Sequence, residues 1–264
     1  MKKIFLFACV ASSLMASAQM KEGKVVYERT LQMRMRVSNP ELAERIPQSR
    51  TDQFELLFAN NQSLWQYLPQ ADENDGTVSA NGMVFRMAGN NNDIVFTSLT
   101  DRKRVDQREL FDRQYLVEDS LRSLSWKLSD ETKSILGYTA RKATAERIGV
   151  RSQMTMENGE MKRQELPDTS MITAWFTTDI PVAVGPQEFQ GQLPGLILEL
   201  DQNKGRIVYK AVEVSPKVKV ADIKEPKKGK RMSQEAFAKE RDQLMQEMQK
   251  NIPAGRSIRN SSFN

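Results

Sequence analysis

Apolar and polar side chains alternate in register along much of this chain, and that period of two constrains its fold more than anything else in the sequence. Leu31, Met33, Met35 and Val37 interleave with Gln32, Arg34 and Arg36, which places four apolar side chains on one face of an extended segment and the arginines on the other. Phe54, Leu56 and Phe58 repeat the pattern, Asn60-Asn61-Gln62 supplies turn chemistry, and Ser63, Trp65 and Tyr67 resume it, so a β-hairpin is expected here. Met83-Phe85-Met87 and Ile94-Val95-Phe96 flank Gly89-Asn90-Asn91-Asn92-Asp93 and predict a second hairpin, with Pro69 to Gly82 as a polar loop before it.

The rhythm returns at Trp126 and Leu128. The expected turn is Ser129-Asp130-Glu131, followed by a strand from Ile135 to Ala143 with a bulge or close approach at Gly137. Residues 147–168 are polar and carry the turn signal Asn158-Gly159. Ile172 to Thr177, Leu196 to Leu200 and Gly205 to Val214 read as strands, and Lys217 to Ile223 as an edge strand protected by its lysines. One helix is expected, over about 233–251, with Ser233 as its cap and Phe237, Leu244 and Met248 on one face. Strands without alternating helices to cover both faces point to a mainly β fold: a twisted antiparallel sheet, able to curl into an open half-barrel, with a C-terminal amphipathic helix.

The N-terminus reads as an address. Lys2 and Lys3 precede an apolar run from Ile4 to Ala11, and Ala16-Ser17-Ala18 follows, the plan of a secretory signal peptide over residues 1–18. Residues 19–264 then form one domain. Leu6-Phe7-Ala8-Cys9 loosely fits a lipoprotein signal, but bulky Phe7 stands where a small residue is usual, so plain cleavage after Ala18 is the preferred reading. The chain has no histidine, and Cys9 is its one cysteine. Cleavage therefore removes the last thiol, lowers the formal charge from +5 to +3, and leaves no Ser-His-Asp or Cys-His catalytic system, no His- or Cys-ligated metal and no disulfide.

Asp179-Ile180-Pro181, Gly185-Pro186, Phe189 and the run Gly191-Gln192-Leu193-Pro194-Gly195-Leu196-Ile197-Leu198-Glu199 resemble the GLPGLI family, secreted proteins of the Bacteroidota. Trp126, Ile135-Leu136-Gly137-Tyr138, Lys142-Ala143 and Ala174-Trp175-Phe176 extend the resemblance, which is densest from Trp126 to Leu200. Gln192 departs from it, because it stands where the name-giving motif has glycine, and Gly191 is displaced by one position. The resemblance implies an exported β-rich protein and carries no catalytic residue over.

Read for its chemistry, Pro194-Gly195 suits the central pair of a type II turn, with Leu196, Leu198 and Leu200 on one face of the following strand and Ile197 and Glu199 on the other. The plain reading is a tight turn feeding a core strand. The functional reading makes Phe189, Gly191, Leu193, Pro194, Gly195, Leu196 and Ile197 an apolar lip over a cavity. Lys227, Lys228, Lys230 and Arg231 form a basic run, either a solvated hinge or a contact for anionic headgroups or surface glycans. The pairs Met33/Met35 and Met154/Met156 could offer thioethers to Cu(I), though the same spacing makes an ordinary core face.

The resulting expectation is a periplasmic or extracellular, non-catalytic envelope accessory or binding protein that carries a lipid or other apolar ligand or meets an outer-membrane component. It would have no cofactor, no metal and no nucleic-acid partner. The rival is a histidine-free hydrolase acting on glycans through carboxylates, for which Asp168, Asp179, Glu188 and Glu199 lie near the Pro-rich centre, or a plain protein-interaction module.

Overall fold

The structure is a computed structural model that describes residues 19–32, 48–69, 77–80, 83–86, 93–110, 112–157 and 160–251, with backbone only for 77–80, 83–86, 150–157, 160–165 and a few positions near the end of the helix. The expected signal peptide, residues 33–47 and the Asn158-Gly159 turn lie outside the described residues.

Fourteen strands are described: β1 (Gly23–Gln32), β2 (Ser49–Ala59), β3 (Gln62–Tyr67), β4 (Thr77–Ala80), β5 (Met83–Arg86), β6 (Ile94–Ser98), β7 (Lys103–Leu110), β8 (Arg113–Ser120), β9 (Lys127–Ile135), β10 (Tyr138–Glu157), β11 (Glu160–Thr177), β12 (Leu196–Gln202), β13 (Ile207–Ser215) and β14 (Lys230–Ser233). Helix α1 (Gln234–Asn251) follows them. Twelve strands form one unclosed sheet in the order β14-β8-β7-β6-β3-β2-β1-β13-β12-β11-β10-β9, and β4 pairs with β5 apart from it. The sheet is antiparallel except at one edge, where β14 runs parallel to β8. The mainly β architecture with a C-terminal helix is as expected.

Directly opposed residues share a face of a sheet, so the register defines its layers. Val25, Leu56, Trp65, Val95, Asp106 and Val117 make one row across β1, β2, β3, β6, β7 and β8. All six are buried, Asp106 among them. On this inner face Phe54 stacks on Trp65 at 5.0 Å, and Tyr27 and Tyr209 pack against the same indole. The segment between β11 and β12 lies on this face as a plug, with Ile180, Val184, Phe189 and Leu193 in the same apolar cluster. The outer face is covered locally, where Ile223 and Val218 pack on Leu57, Leu64 and Phe96. Ser233 caps α1 by accepting the Ala236 N–H, and Phe237 packs edge-on against Tyr115. Leu244 is half-buried, and the side chain of Met248 lies outside the described residues.

Several expectations are corrected. The β2–β3 hairpin forms as predicted, with Asn60 and Asn61 both at positive φ. The second hairpin does not: β5 pairs with β4, while β6 pairs with β3 and β7, because turn chemistry marks where the chain reverses without choosing the partner. Ser129-Asp130-Glu131 is not a turn. It is an irregularity within β9, where Arg141 opposes Thr132 and Ala143 opposes Leu128, so three residues stand against Lys142. The reversal falls at Leu136-Gly137. Residues 217–223 form no strand but a loop with a 3-10 turn at Val220–Asp222, and the edge on that side is β14. Within the polar stretch 147–168, the described residues 147–157 and 160–168 are strand. β10 and β11 pair from Arg141↔Phe176 to Glu157↔Glu160, and beyond Glu146 neither has a further partner among the described strands, so they run on as a two-stranded ribbon.

Candidate functional site

The motif residues are anchored inside the molecule. Phe189, Leu193, Leu196 and Ile197 are buried and Pro194 is exposed, so the run is a plug against the sheet rather than a free lip. Gly195 is not among the residues with positive φ, and its N–H bonds the Leu193 carbonyl at 2.8 Å, so the turn is a three-residue reversal about Pro194 in place of the expected type II turn. Gly195 is needed for another reason: an added Cβ would stand 2.0 Å from the Thr177 carbonyl oxygen. Positive φ belongs to Gly191, at 70°. In β12 the alternation breaks, because Glu199 opposes Trp175 and Ile197 opposes Phe176, leaving Leu198 as an extra residue. Ile197 therefore turns inward, and Tyr27 donates its hydroxyl to the Ile197 carbonyl at 2.5 Å.

Glutamines hold the plug. Gln190, fully buried, accepts from Ser63 and from the Gly185 N–H and donates to the Gly185 carbonyl. Gln192 accepts the Trp126 indole N–H at 3.0 Å and the Leu124 N–H at 3.3 Å, and donates to the Glu188 carbonyl. Gln187 sits at φ 46° and accepts from the Tyr209 hydroxyl at 2.7 Å. Gln192 thus has a hydrogen-bonding role that glycine could not fill.

Beside the plug lies a cleft of about 530 Å³, bounded by β7, the 119–124 segment, Arg147 and Ile148 of β10, Glu188 and Phe189 of the plug, and Gln234 of α1. Arg104, Arg108, Arg122 and Arg147 all line it. Arg104, Arg108 and Glu188 also line an inner chamber of about 100 Å³, backed by Phe54, Trp65 and Asp106. Alternation along β7 sends Arg104, Asp106 and Arg108 to the same face. Asp106 is 2% exposed; Arg104 binds it through Nε at 2.6 Å and through Nη2, and Arg108 through Nη2 at 2.7 Å. Burial works to raise the Asp106 carboxyl, but the hydrogen bonds and charges of Arg104 and Arg108 prevail and hold it below the usual carboxylate range. The Arg108 guanidinium also lies over the Phe237 ring of α1 at 5.4 Å. Arg147 binds Glu188 at 2.8 Å and Gln202 at 3.1 Å.

The four carboxylates noted near the Pro-rich centre are dispersed. Glu188 is in the cleft, Glu199 faces outward to Lys133, Asp168 lies at a surface dent with Asn203, and Asp179 is exposed. In the basic run Lys227 and Lys228 are exposed, whereas Lys230 pairs with Glu240 and Arg231 with Glu118 and Glu225, so half of it is neutralised within the fold. Met33 and Met35 lie outside the described residues; of Met154 and Met156 only the backbone is described, opposite Arg163 and Met161. The arginine cleft was missed by sequence reasoning. Its signal was the alternation Arg104-Asp106-Arg108, which reads equally well as the solvated face of a strand.

A family model described as a protein of unknown function (Porph_ging) matches residues 126–199, the span from the Trp126 indole through the long hairpin to the end of the motif. No curated protein matches the chain. Solved structures of PNGF-II in the P21 and C2 space groups are similar at 14% identity and a TM-score of 0.48, over 83% of this chain. They are matched over 33% and 32% of their own chains, so this chain spans about a third of their length.

Proposed function

We propose that this is an exported, non-catalytic binding protein of the cell envelope, similar to the GLPGLI proteins, whose ligand sits in the cleft between β7, α1 and the plug. The observation that carries the reading is the construction of that cleft: its wall is set by side chains locked from behind, Arg104 and Arg108 by Asp106 and Gln192 by Trp126. The apolar inner face on which a carrier would otherwise hold its ligand is taken by the chain's own Ile180, Val184, Phe189, Leu193 and Ile197. That moves a carried molecule from the sheet to the cleft.

The carboxylates Asp93, Asp106 and Glu188 around the inner chamber favour the hydrolase as a second reading. Against it, glycoside hydrolysis needs one carboxyl protonated near neutral pH, and Arg104 and Arg108 hold Asp106, the carboxyl at the back of that chamber, below the usual carboxylate range. Native mass spectrometry of the protein recovered from the envelope fraction tests the proposal. A small molecule retained by the wild type and lost from a folded Leu124→Asp variant is expected. An unloaded protein that turns over glycans would overturn it, and recovery in the cytoplasmic fraction would overturn its exported location.

A further inference from the structure

Asp106, like Asp52 on β2, is a buried carboxylate on a mostly apolar inner face, and of the two it is the one that stands behind the cleft. Its cross-strand neighbours are Val95 and Val117, both buried, yet it is ionised and clasped by two arginines from its own strand. This is an inefficient way to hold a sheet together, because taking such charges out of water costs several kcal/mol and apolar residues of similar volume often serve as well or better. What the arrangement does supply is a pair of guanidinium groups fixed in place at the cleft wall. A guanidinium carries five N–H donors, and Asp106 engages two from Arg104 and one from Arg108.

Arg122 and Arg147 bring two more guanidinium groups to the same cleft. Of the charged side chains that line the cleft itself, these four arginines face two carboxylates, Glu188, bound to Arg147, and Asp119, 3.4 Å from Arg122. Asp106 and Asp93 lie at the inner chamber behind the wall, and Glu235 stands 4.0 Å from Arg122 outside the lining. Between the arginines the cleft is apolar, with Leu121, Leu124 and Ile148; Ile148 is 82% exposed, an aliphatic side chain left in water at the rim of a charged site.

Resting on the binding function just proposed, we infer that the ligand is an amphipathic anion, its phosphate, sulfate or carboxylate group taken by Arg108, Arg122 and Arg147 and its apolar part laid against Leu124 and Ile148. Glu188 is then a competitor, occupying Arg147 until the anion displaces it. Asp106 is a positioning residue that holds Arg104 and Arg108 without touching the ligand.

Isothermal titration of the folded protein with decyl phosphate, inorganic phosphate and decyl maltoside, each below its micelle concentration, separates head group from chain. Decyl phosphate is expected to bind about tenfold or more tighter than either of the others and to weaken with salt. Arg147→Gln and the exposed-site variant Arg122→Gln should each weaken it about five- to tenfold, the loss of one charge-assisted hydrogen bond, with decyl maltoside unaffected. Glu188→Gln should strengthen it, a change of sign that a purely structural role for the pair would not produce. Equal binding of decyl phosphate and decyl maltoside, both lost in Leu124→Asp, would overturn the anionic class and leave the binding reading standing. Inorganic phosphate binding as tightly as decyl phosphate would overturn the amphipathic part, and no binding of any probe at millimolar concentration would overturn both readings.

Discussion

Gln192 accepts the indole N–H of Trp126 at 3.0 Å, across 66 residues of sequence, and so ties the entry of β9 to the plug that precedes β12. The same amide oxygen takes the Leu124 N–H, and the amide nitrogen returns a bond to Glu188. Replacing Gln192 by alanine or by the motif's glycine leaves the two donors without their acceptor, at a cost of about 1–3 kcal/mol. Urea denaturation of Gln192→Ala and Gln192→Gly should show this as a lower midpoint with the slope unchanged. A midpoint equal to that of the wild type would mean that the bond adds nothing.

Pro194 and Gly195 are adjacent but should respond unequally to alanine. Pro194 is exposed, and its loss chiefly frees the unfolded chain, for about 0.4–1 kcal/mol. Gly195→Ala drives a Cβ into the Thr177 carbonyl, which the overpacking of cores puts at about 1–3 kcal/mol or more. Thermal melts of the two single variants should rank Gly195→Ala well below Pro194→Ala; the reverse order would contradict the close approach.

Acid should uncover the role of Asp106. Because Arg104 and Arg108 hold its folded carboxyl below the unfolded value, the carboxylate contributes stability in full above the ordinary range of an aspartate. That contribution is lost as pH falls through the ordinary value toward the depressed one. At neutral pH Asp106→Asn breaks a buried pair and should cost about 3–5 kcal/mol. The gap between variant and wild type should narrow below about pH 4. A gap that is constant with pH would place the effect in packing rather than charge.

Tyr27 predicts the alkaline limb. Burial pushes its phenol well above the ordinary tyrosine value, so its contribution is complete below about pH 10 and falls as pH rises further, when the unfolded phenol ionises and the folded one does not. Tyr27→Phe removes the bond to the Ile197 carbonyl, worth about 0.5–1.5 kcal/mol at neutral pH. The variant should also lose stability less steeply than the wild type above pH 10, as equilibrium unfolding measured against pH would show.

The β2–β3 hairpin was legible because Phe54, Leu56 and Phe58 alternate up to a turn whose asparagines accept positive φ. The β10–β11 hairpin was not. Past Glu146 it pairs with no further described strand, its sequence is polar without an apolar alternation, and only the Asn-Gly pair pointed to a reversal. The helix was read from Ser233 and Phe237, both local signals, whereas its seat against Tyr115 depends on β8 lying at that end of the sheet.

Alternation and turn residues are local properties of the backbone, and by themselves they determined that this chain is a β protein with one terminal helix and that a close turn precedes β12. Only the tertiary structure decided which strands are neighbours, and with that which face of β7 is inside. Arg104-Asp106-Arg108 has the pattern of a solvated edge. It becomes a buried charge cluster because Val95 and Val117, each 11 residues from Asp106 along the chain, flank it from the strands on both sides, and Phe237 of α1 lies against Arg108.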